Sequence, residues 1–315
     1  MLLMMTVFLV SIVAVSLGAD ALVAGASRIA TRLGVTPLIV GLTLVAFGTS
    51  APELIVSVEA AWKGQPGLAV GNVMGSTAAN VGLIIGLGAL IRPLPVKRRL
   101  ALAEAPLVAV VLLLVLWFAV NGYVGTGEGI SLLAGFVVYV IWLVRKESKR
   151  IQREPDIAVG IETSGRIVGE GSVAVAAVRV TFGLAALLVG GSLLVESAIE
   201  LARVLGVTEE VIGATLVAVG TSVPELASTL AAIRKGLGDI ALGNVLGSNV
   251  FNLGLVLGCA AIVAPLPIGA DVAMRQVVPA LLLSTLLVAF SFGTIGRWKG
   301  LLLLGGYAVY IVRML

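Results

Sequence analysis

The sequence predicts an all-α polytopic membrane protein, ten transmembrane helices arranged as two inverted five-helix repeats, and three observations predict it. Of 315 residues, 59% are hydrophobic and 12% charged, against about 45–50% and about 25% in a soluble domain. Apolar runs long enough to cross about 30 Å of hydrocarbon, roughly 20 helical residues each, recur from end to end. Residues 33–96 align without a gap on residues 205–268, with 32 of 64 positions identical. Each half is therefore one copy of the same unit.

Taken in order, the runs and their breaks predict spans at 3–31, 36–63, 67–91, 98–120 and 127–145, then 173–203, 208–234, 238–264, 272–292 and 297–314. The first could be mistaken for a signal peptide. Met1 to Leu17 has no basic leading region, however, and related residues recur at Gly190 to Ala202, so it reads as a retained helix. Five spans per half make the second copy enter the membrane from the opposite side. The chain thus divides into a first repeat, 1–145 with its motif region at 36–90, and a second, 173–315 with its motif region at 208–262. Residues 146–172 join them, with mixed charge, Pro and Gly, as a linker too short for a folded domain.

The basic residues fall in short clusters between apolar runs rather than on one soluble surface, which argues against nucleic acid. Arg28, Arg32, Arg92, Lys97, Arg98, Arg99, the cluster from Arg145 to Arg166, Arg234, Lys235, Arg297 and Lys299 share one side if the N-terminus lies outside. Positive charge collects on the cytoplasmic face. This predicts a multi-pass protein of the cell membrane with both termini outside and the linker in the cytoplasm.

Histidine is absent and Cys259 stands alone, so proton shuttling by imidazole, a thiolate metal centre and an internal disulfide are excluded. Against that background two acids stand out, because a carboxylate inside a span is costly and marks function. Glu53 lies in the second span and Glu225 in the seventh, related by the repeat, and neither span places a base near the midplane. Pro52 and Pro224 cannot donate to the carbonyls of Gly48 and Gly220 and should break each helix there. Where the turn stays roughly helical, Thr49 and Glu53 share a face at i, i+4 while Ser50 points to the neighbouring side, and Thr221, Ser222 and Glu225 repeat the arrangement. Ser76 and Asn80, and again Ser248 and Asn252, stand one helical turn apart on the third and eighth spans. Carboxylates, hydroxyls, amide oxygens and freed carbonyls suit a hard cation such as Ca²⁺ or Na⁺.

These motifs, GTSAPE with GNVMGSTAANVG and GTSVPE with GNVLGSNVFNLG, resemble the α-repeats of the calcium/cation antiporter superfamily, and within it the prokaryotic sodium/calcium exchangers. The resemblance spans essentially the whole chain. It implies one Ca²⁺ site formed by Glu53 and Glu225 with carbonyls at Thr49 and Thr221. It also implies Na⁺ sites at Ser50, Ser76, Ser222 and Ser248 with carbonyls at Ala46 and Ala218, the middle one lined by Asn80 and Asn252. The long first and sixth spans would slide to alternate access. An acid often stands in this family where Asn252 stands here, which argues against proton or potassium coupling through that position.

Two carboxylates balance one Ca²⁺, whereas three Na⁺ leave one positive charge, so three-to-one exchange is electrogenic. The expected activity is Na⁺/Ca²⁺ antiport by alternating access, with no cofactor, no catalytic residues, lipid as solvent and no protein partner required, the monomer sufficing. A proton/calcium antiporter would be expected to carry a further acid in the GN motif. A passive cation channel fits broken helices less well. A membrane enzyme lacks any nucleophile and base.

Overall fold

The computed structural model describes residues 2–153, 172–206 and 220–314. Its helices are α1 (Leu2–Leu33), α2 (Pro37–Thr49), α3 (Ala51–Trp62), α4 (Pro66–Ile91), α5 (Leu100–Asn121), α6 (Thr126–Arg153), α7 (Val173–Val204), α8 (Val223–Arg234), α9 (Gly238–Val263), α10 (Ala270–Phe290) and α11 (Arg297–Met314). Seven described helices are long and apolar enough to cross a membrane, and α2 with α3, bent by 45°, forms an eighth such span. The helix α11 is 18 residues long and carries Arg297, Lys299 and Arg313 near its ends. Of the predicted span 208–234, residues 208–219 lie outside the described residues, and α8 is its remainder.

The helices α4 and α9, which carry the GN motifs, occupy the centre. The most apolar windows of these two are 72% and 83% buried, whereas those of α1 and α7 are 33% and 28% buried and face outward. Both α1 and α7 contain 32 residues, about 48 Å of helix, more than the hydrocarbon requires. They cross closely: a Cβ on Gly183 of α7 would lie 2.5 Å from the backbone nitrogen of Leu22. Only glycine permits that approach. Ser172 caps α7, its hydroxyl accepting from the Val175 amide at 3.3 Å.

Pro at the first or second position starts α3 and α8, where the missing N–H is harmless. The chain breaks at the residue before each: Ser50 has φ −87 and ψ 7, Ser222 φ −88 and ψ 6. Matched dihedrals at repeat-related residues follow from the matched sequence. The expected proline break is present in the first copy, and in the second the matching non-helical residue Ser222 precedes α8, the residues before Gly220 lying outside those described.

Two short antiparallel ribbons tie the halves together. Leu94–Pro95 pairs with Thr294–Ile295, Leu94 opposite Ile295, and Tyr123–Val124 pairs with Leu266–Pro267, Val124 opposite Leu266. Each ribbon takes one strand from each half.

Two features differ from expectation. The helix α6 runs on to Arg153, beyond the expected end at 145, because KESKRIQR consists mostly of good helix formers and Pro155 comes only afterwards. Wide π-helical turns occupy Gly41–Val45, Asn80–Ile85, Leu100–Glu104, Phe251–Val256 and Ala273–Val277. Such turns admit one extra residue and cluster at functional positions. Apolar periodicity does not announce them.

Candidate cation site

Both breaks bring their acids to the same buried centre. Glu53 lies in the first turn of α3 and Glu225 in the first turn of α8, where the positive end of each helix favours a negative charge. Both are fully buried. Among the described residues neither pairs with a base, and no third His, Cys, Asp or Glu joins them in a metal-binding group.

The hydroxyls cross between repeats. Ser50, at the break in the first repeat, donates to Oε1 of Glu225 at 2.8 Å, and Ser248 of α9 contacts the same oxygen at 3.4 Å. Ser76 of α4 donates to Oε1 of Glu53 at 3.4 Å and lies 3.4 Å from the hydroxyl of Thr221. Each carboxylate is thus anchored through one oxygen. The other oxygen of each, together with Ser222 Oγ, Asn80 Oδ1 and both amide atoms of Asn252, is buried without a hydrogen-bond partner among the described residues. Buried polar atoms are normally satisfied, so an unpartnered set of oxygens calls for an explanation such as a bound ion.

Of the residues named from sequence, Thr49, Ser50, Glu53, Ser76, Asn80, Ser222, Glu225, Ser248 and Asn252 are buried, and Thr221 is partly so. The Ala46 carbonyl accepts the Ser50 amide at 3.0 Å and the Thr49 hydroxyl at 3.4 Å. Ala218 lies outside the described residues. The expected sharing of one helical face by Ser76 and Asn80 is modified by the π turn, which begins at Asn80.

Three asparagines beyond the expected set hold this centre in place. Asn72 donates to the Glu53 carbonyl at 3.2 Å and to Ser57 at 2.9 Å, while its Oδ1 accepts from Thr221 at 3.1 Å. Its repeat mate Asn244 donates to the Glu225 carbonyl at 3.5 Å and to Ser228 and Thr229, both at 3.0 Å, and lies 3.3 Å from the Thr49 hydroxyl. Each therefore ties the broken span of its own repeat to that of the other. The signal was present, since both stand one helical turn before Ser76 and Ser248 in GNVMGS and GNVLGS. Asn249 is different: its Oδ1 accepts from Asn80 at 2.9 Å and its own amide donates to the Thr77 carbonyl at 3.4 Å. With its N–H engaged, Asn80 presents its oxygen. The repeat mate of Asn249 is Thr77, whose hydroxyl turns back to Val73 of its own helix at 2.8 Å, so the repeat alone does not mark this residue.

Comparison with known proteins agrees with this geometry. The family described as sodium/calcium exchanger protein matches residues 3–145 and 175–315. The putative antiporter CaxA of Alkalimonas amylolytica is 39% identical over 311 residues, 97% of each chain. The sodium/calcium exchanger MaX1 of Methanosarcina acetivorans is 33% identical over 339 residues, again covering 97% of each. The solved structure of the sodium-calcium exchanger NCX_Mj soaked with 2.5 mM Na⁺ and 0.1 mM Ca²⁺ superposes with a TM-score of 0.84 at 33% identity, covering 98% of both chains. With a family match over nearly its whole length and relatives of this similarity, the chain belongs to the sodium/calcium exchanger family.

Proposed function

We propose that this protein is a secondary active antiporter that exchanges about three Na⁺ for one Ca²⁺, electrogenically, through one shared site. The observation that carries the reading is the pair of base-free buried carboxylates, one from each repeat, each anchored by one oxygen and each with the other oxygen unpartnered. Glu53 and Glu225 bind Ca²⁺ with the carbonyls of Thr49 and Thr221. Ser50, Ser76, Ser222 and Ser248, the carbonyls of Ala46 and Ala218, and the amide oxygens of Asn80 and Asn252 bind Na⁺. Ca²⁺ and Na⁺ compete because two carboxylates cannot balance both loads at once. Competition for one site makes the exchange obligatory.

The reading extends to architecture. Ten spans form two inverted repeats, 1–145 and 173–315, joined by a cytoplasmic linker at 146–172, with both termini outside and the monomer as the working unit in lipid. The crossed ribbons support this. Leu94–Pro95 and Thr294–Ile295 belong to connections expected on the inner side, Tyr123–Val124 and Leu266–Pro267 to connections expected on the outer side. Lys97 also pairs with Asp239, which joins two inner connections. Sliding of α1 and α7 against the rest of the protein, the two held to each other at their glycine-mediated crossing, alternates access.

Reconstituted into Na⁺-loaded liposomes, the protein should take up ⁴⁵Ca²⁺ when external Na⁺ is removed, and faster when the interior is clamped positive by K⁺ and valinomycin, since three Na⁺ leave for each Ca²⁺ that enters and one net positive charge moves outward. Uptake driven only by an opposing pH gradient would replace Na⁺ by H⁺ as the counter-ion. Ser76→Ala and Ser248→Ala should shift half-maximal Na⁺ dependence about threefold or more while changing Ca²⁺ affinity less, each removing one oxygen of a neutral donor set. Equal Na⁺ curves for both variants and wild type would remove these serines from the site. Asn72→Ala should lower Ca²⁺ affinity about tenfold without removing a ligand, the scale of loss found when groups supporting a metal ligand are removed. Isothermal titration of the purified variant measures it.

A further inference from the structure

A cavity of about 240 Å³ lies between α7 and the two broken spans, lined among the described residues by Pro52, Gly191, Ser192, Glu196, Thr221 and Pro224 and their neighbours. At its inner end Thr221 lies 3.4 Å from Ser76, which donates to Glu53. Glu196, exposed and one helical turn from Ser192, lines the same cavity on α7. Among the described residues no base pairs with it, and residues 207–219 contain no Lys or Arg. Helix α7 starts at Val173, just after the linker, so Glu196 sits roughly 35 Å along it and about 12 Å from its far end. It faces the side of the membrane opposite the linker.

The first repeat does not supply the same groups. By the constant register of the repeat, Glu196 and Glu200 of α7 correspond to Ala24 and Arg28 of α1. The two access routes therefore differ in charge where the rest of the protein is nearly symmetric. An unpaired carboxylate at the mouth of a low-dielectric cavity concentrates cations and raises their arrival rate, an effect that fades with ionic strength.

We propose that Glu196, with Ser192, forms a recruitment site for Ca²⁺ on the side opposite the linker, which hands the ion through the cavity past Thr221 to Glu53. The inference rests on the exchange reading above, and adds to it a difference in apparent affinity between the two membrane faces. Ions arriving from the linker side do not use it.

Right-side-out and inside-out membrane vesicles separate the two faces, with the exposed side identified by labelling Val204→Cys, in a Cys259→Ala background, with a membrane-impermeant maleimide. At low ionic strength Glu196→Gln should raise the KM for ⁴⁵Ca²⁺ about fivefold from the side opposite the linker, within the range of electrostatic steering effects. Vmax and the KM from the linker side should stay unchanged, and Glu196→Asp should stay within about twofold of wild type. In 1 M choline chloride, where the screening length is about 3 Å, the difference should fall below about twofold. An unchanged KM, an equal rise on both faces, or a rise indifferent to salt would overturn the proposal. Should Glu196→Gln not reach the membrane, the wild type decides alone, because its KM must rise more steeply with salt from the side opposite the linker, and equal slopes overturn the idea. Failure of the exchange reading is distinct: wild type would then show no Na⁺-driven uptake from either face.

Discussion

Glu53→Gln and Glu225→Gln should each abolish Ca²⁺ transport, lowering Na⁺-driven ⁴⁵Ca²⁺ uptake by at least about a hundredfold, while leaving a folded protein. A unit charge about 4 Å from another is worth roughly 4 kcal/mol even at an effective dielectric of 20, and Ca²⁺ must recover its dehydration from just two such charges. Glutamine keeps the shape and the Oε1 contact to Ser76, or to Ser50 and Ser248. It places either a neutral oxygen or a donating NH₂ where the unpartnered oxygen stood. Stability should move the other way. A buried carboxylate without a base pays desolvation, so in ion-free buffer each variant should melt at or above the wild-type temperature. Transport near the wild-type rate in either variant would remove these acids from the site. Loss of transport with a lower melting temperature would make them structural.

Gly247→Val should reduce transport more than tenfold through backbone contact rather than through a lost ligand. A Cβ at Gly247 would lie 2.7 Å from the Leu42 carbonyl oxygen and 2.8 Å from Cβ of Ala46, and backbone cannot step aside as a side chain can. Overpacking of this kind costs about 1–3 kcal/mol. Here it separates α9 from the π turn of α2, and with it moves Ser248, Asn244 and the Ala46 carbonyl relative to Thr49. The expected signature is a lower melting temperature together with weakened Ca²⁺ binding by titration. Gly305→Ala in α11, where nothing among the described residues lies within 4 Å of the added carbon, should be close to neutral in both measurements. Wild-type binding by Gly247→Val would show that the close packing of α9 on α2 does not hold the site.

Much of this site was legible in the sequence because it rests on strong physical penalties. A proline inside a span must break it, and an acid inside a span must have a purpose, so Pro52, Glu53, Pro224 and Glu225 announce themselves from residue type and position. The repeat doubles each signal, and the matched dihedrals of Ser50 and Ser222 follow from it. What stayed hidden depends on how the two halves interlock. Nothing in GTSAPE says that Ser50 reaches Glu225 rather than Glu53, since that contact joins residues 175 positions apart. The supporting role of Asn72 was within reach, being one turn from Ser76, but an amide in a membrane helix reads equally well as simple packing. Asn249 broke the repeat and so lost its marker. The π turns had no marker either, because one extra residue in a turn leaves an almost wholly apolar run, whether facing protein or lipid, without any change of pattern. Span ends were legible where charge clusters or proline marked them, as at Pro37 and Pro66. They were not where a charged segment simply continued as helix, as α6 does to Arg153.

The central claim is that Ca²⁺ and Na⁺ occupy one site built on Glu53 and Glu225. Equilibrium binding of ⁴⁵Ca²⁺ to the purified protein, titrated with Na⁺ at constant ionic strength, tests it most directly. One Ca²⁺ per chain, fully displaced by Na⁺ with a Hill coefficient above two and absent in Glu53→Gln, is the predicted result. Ca²⁺ that stays bound at saturating Na⁺, or that binds Glu53→Gln as tightly as wild type, would contradict it.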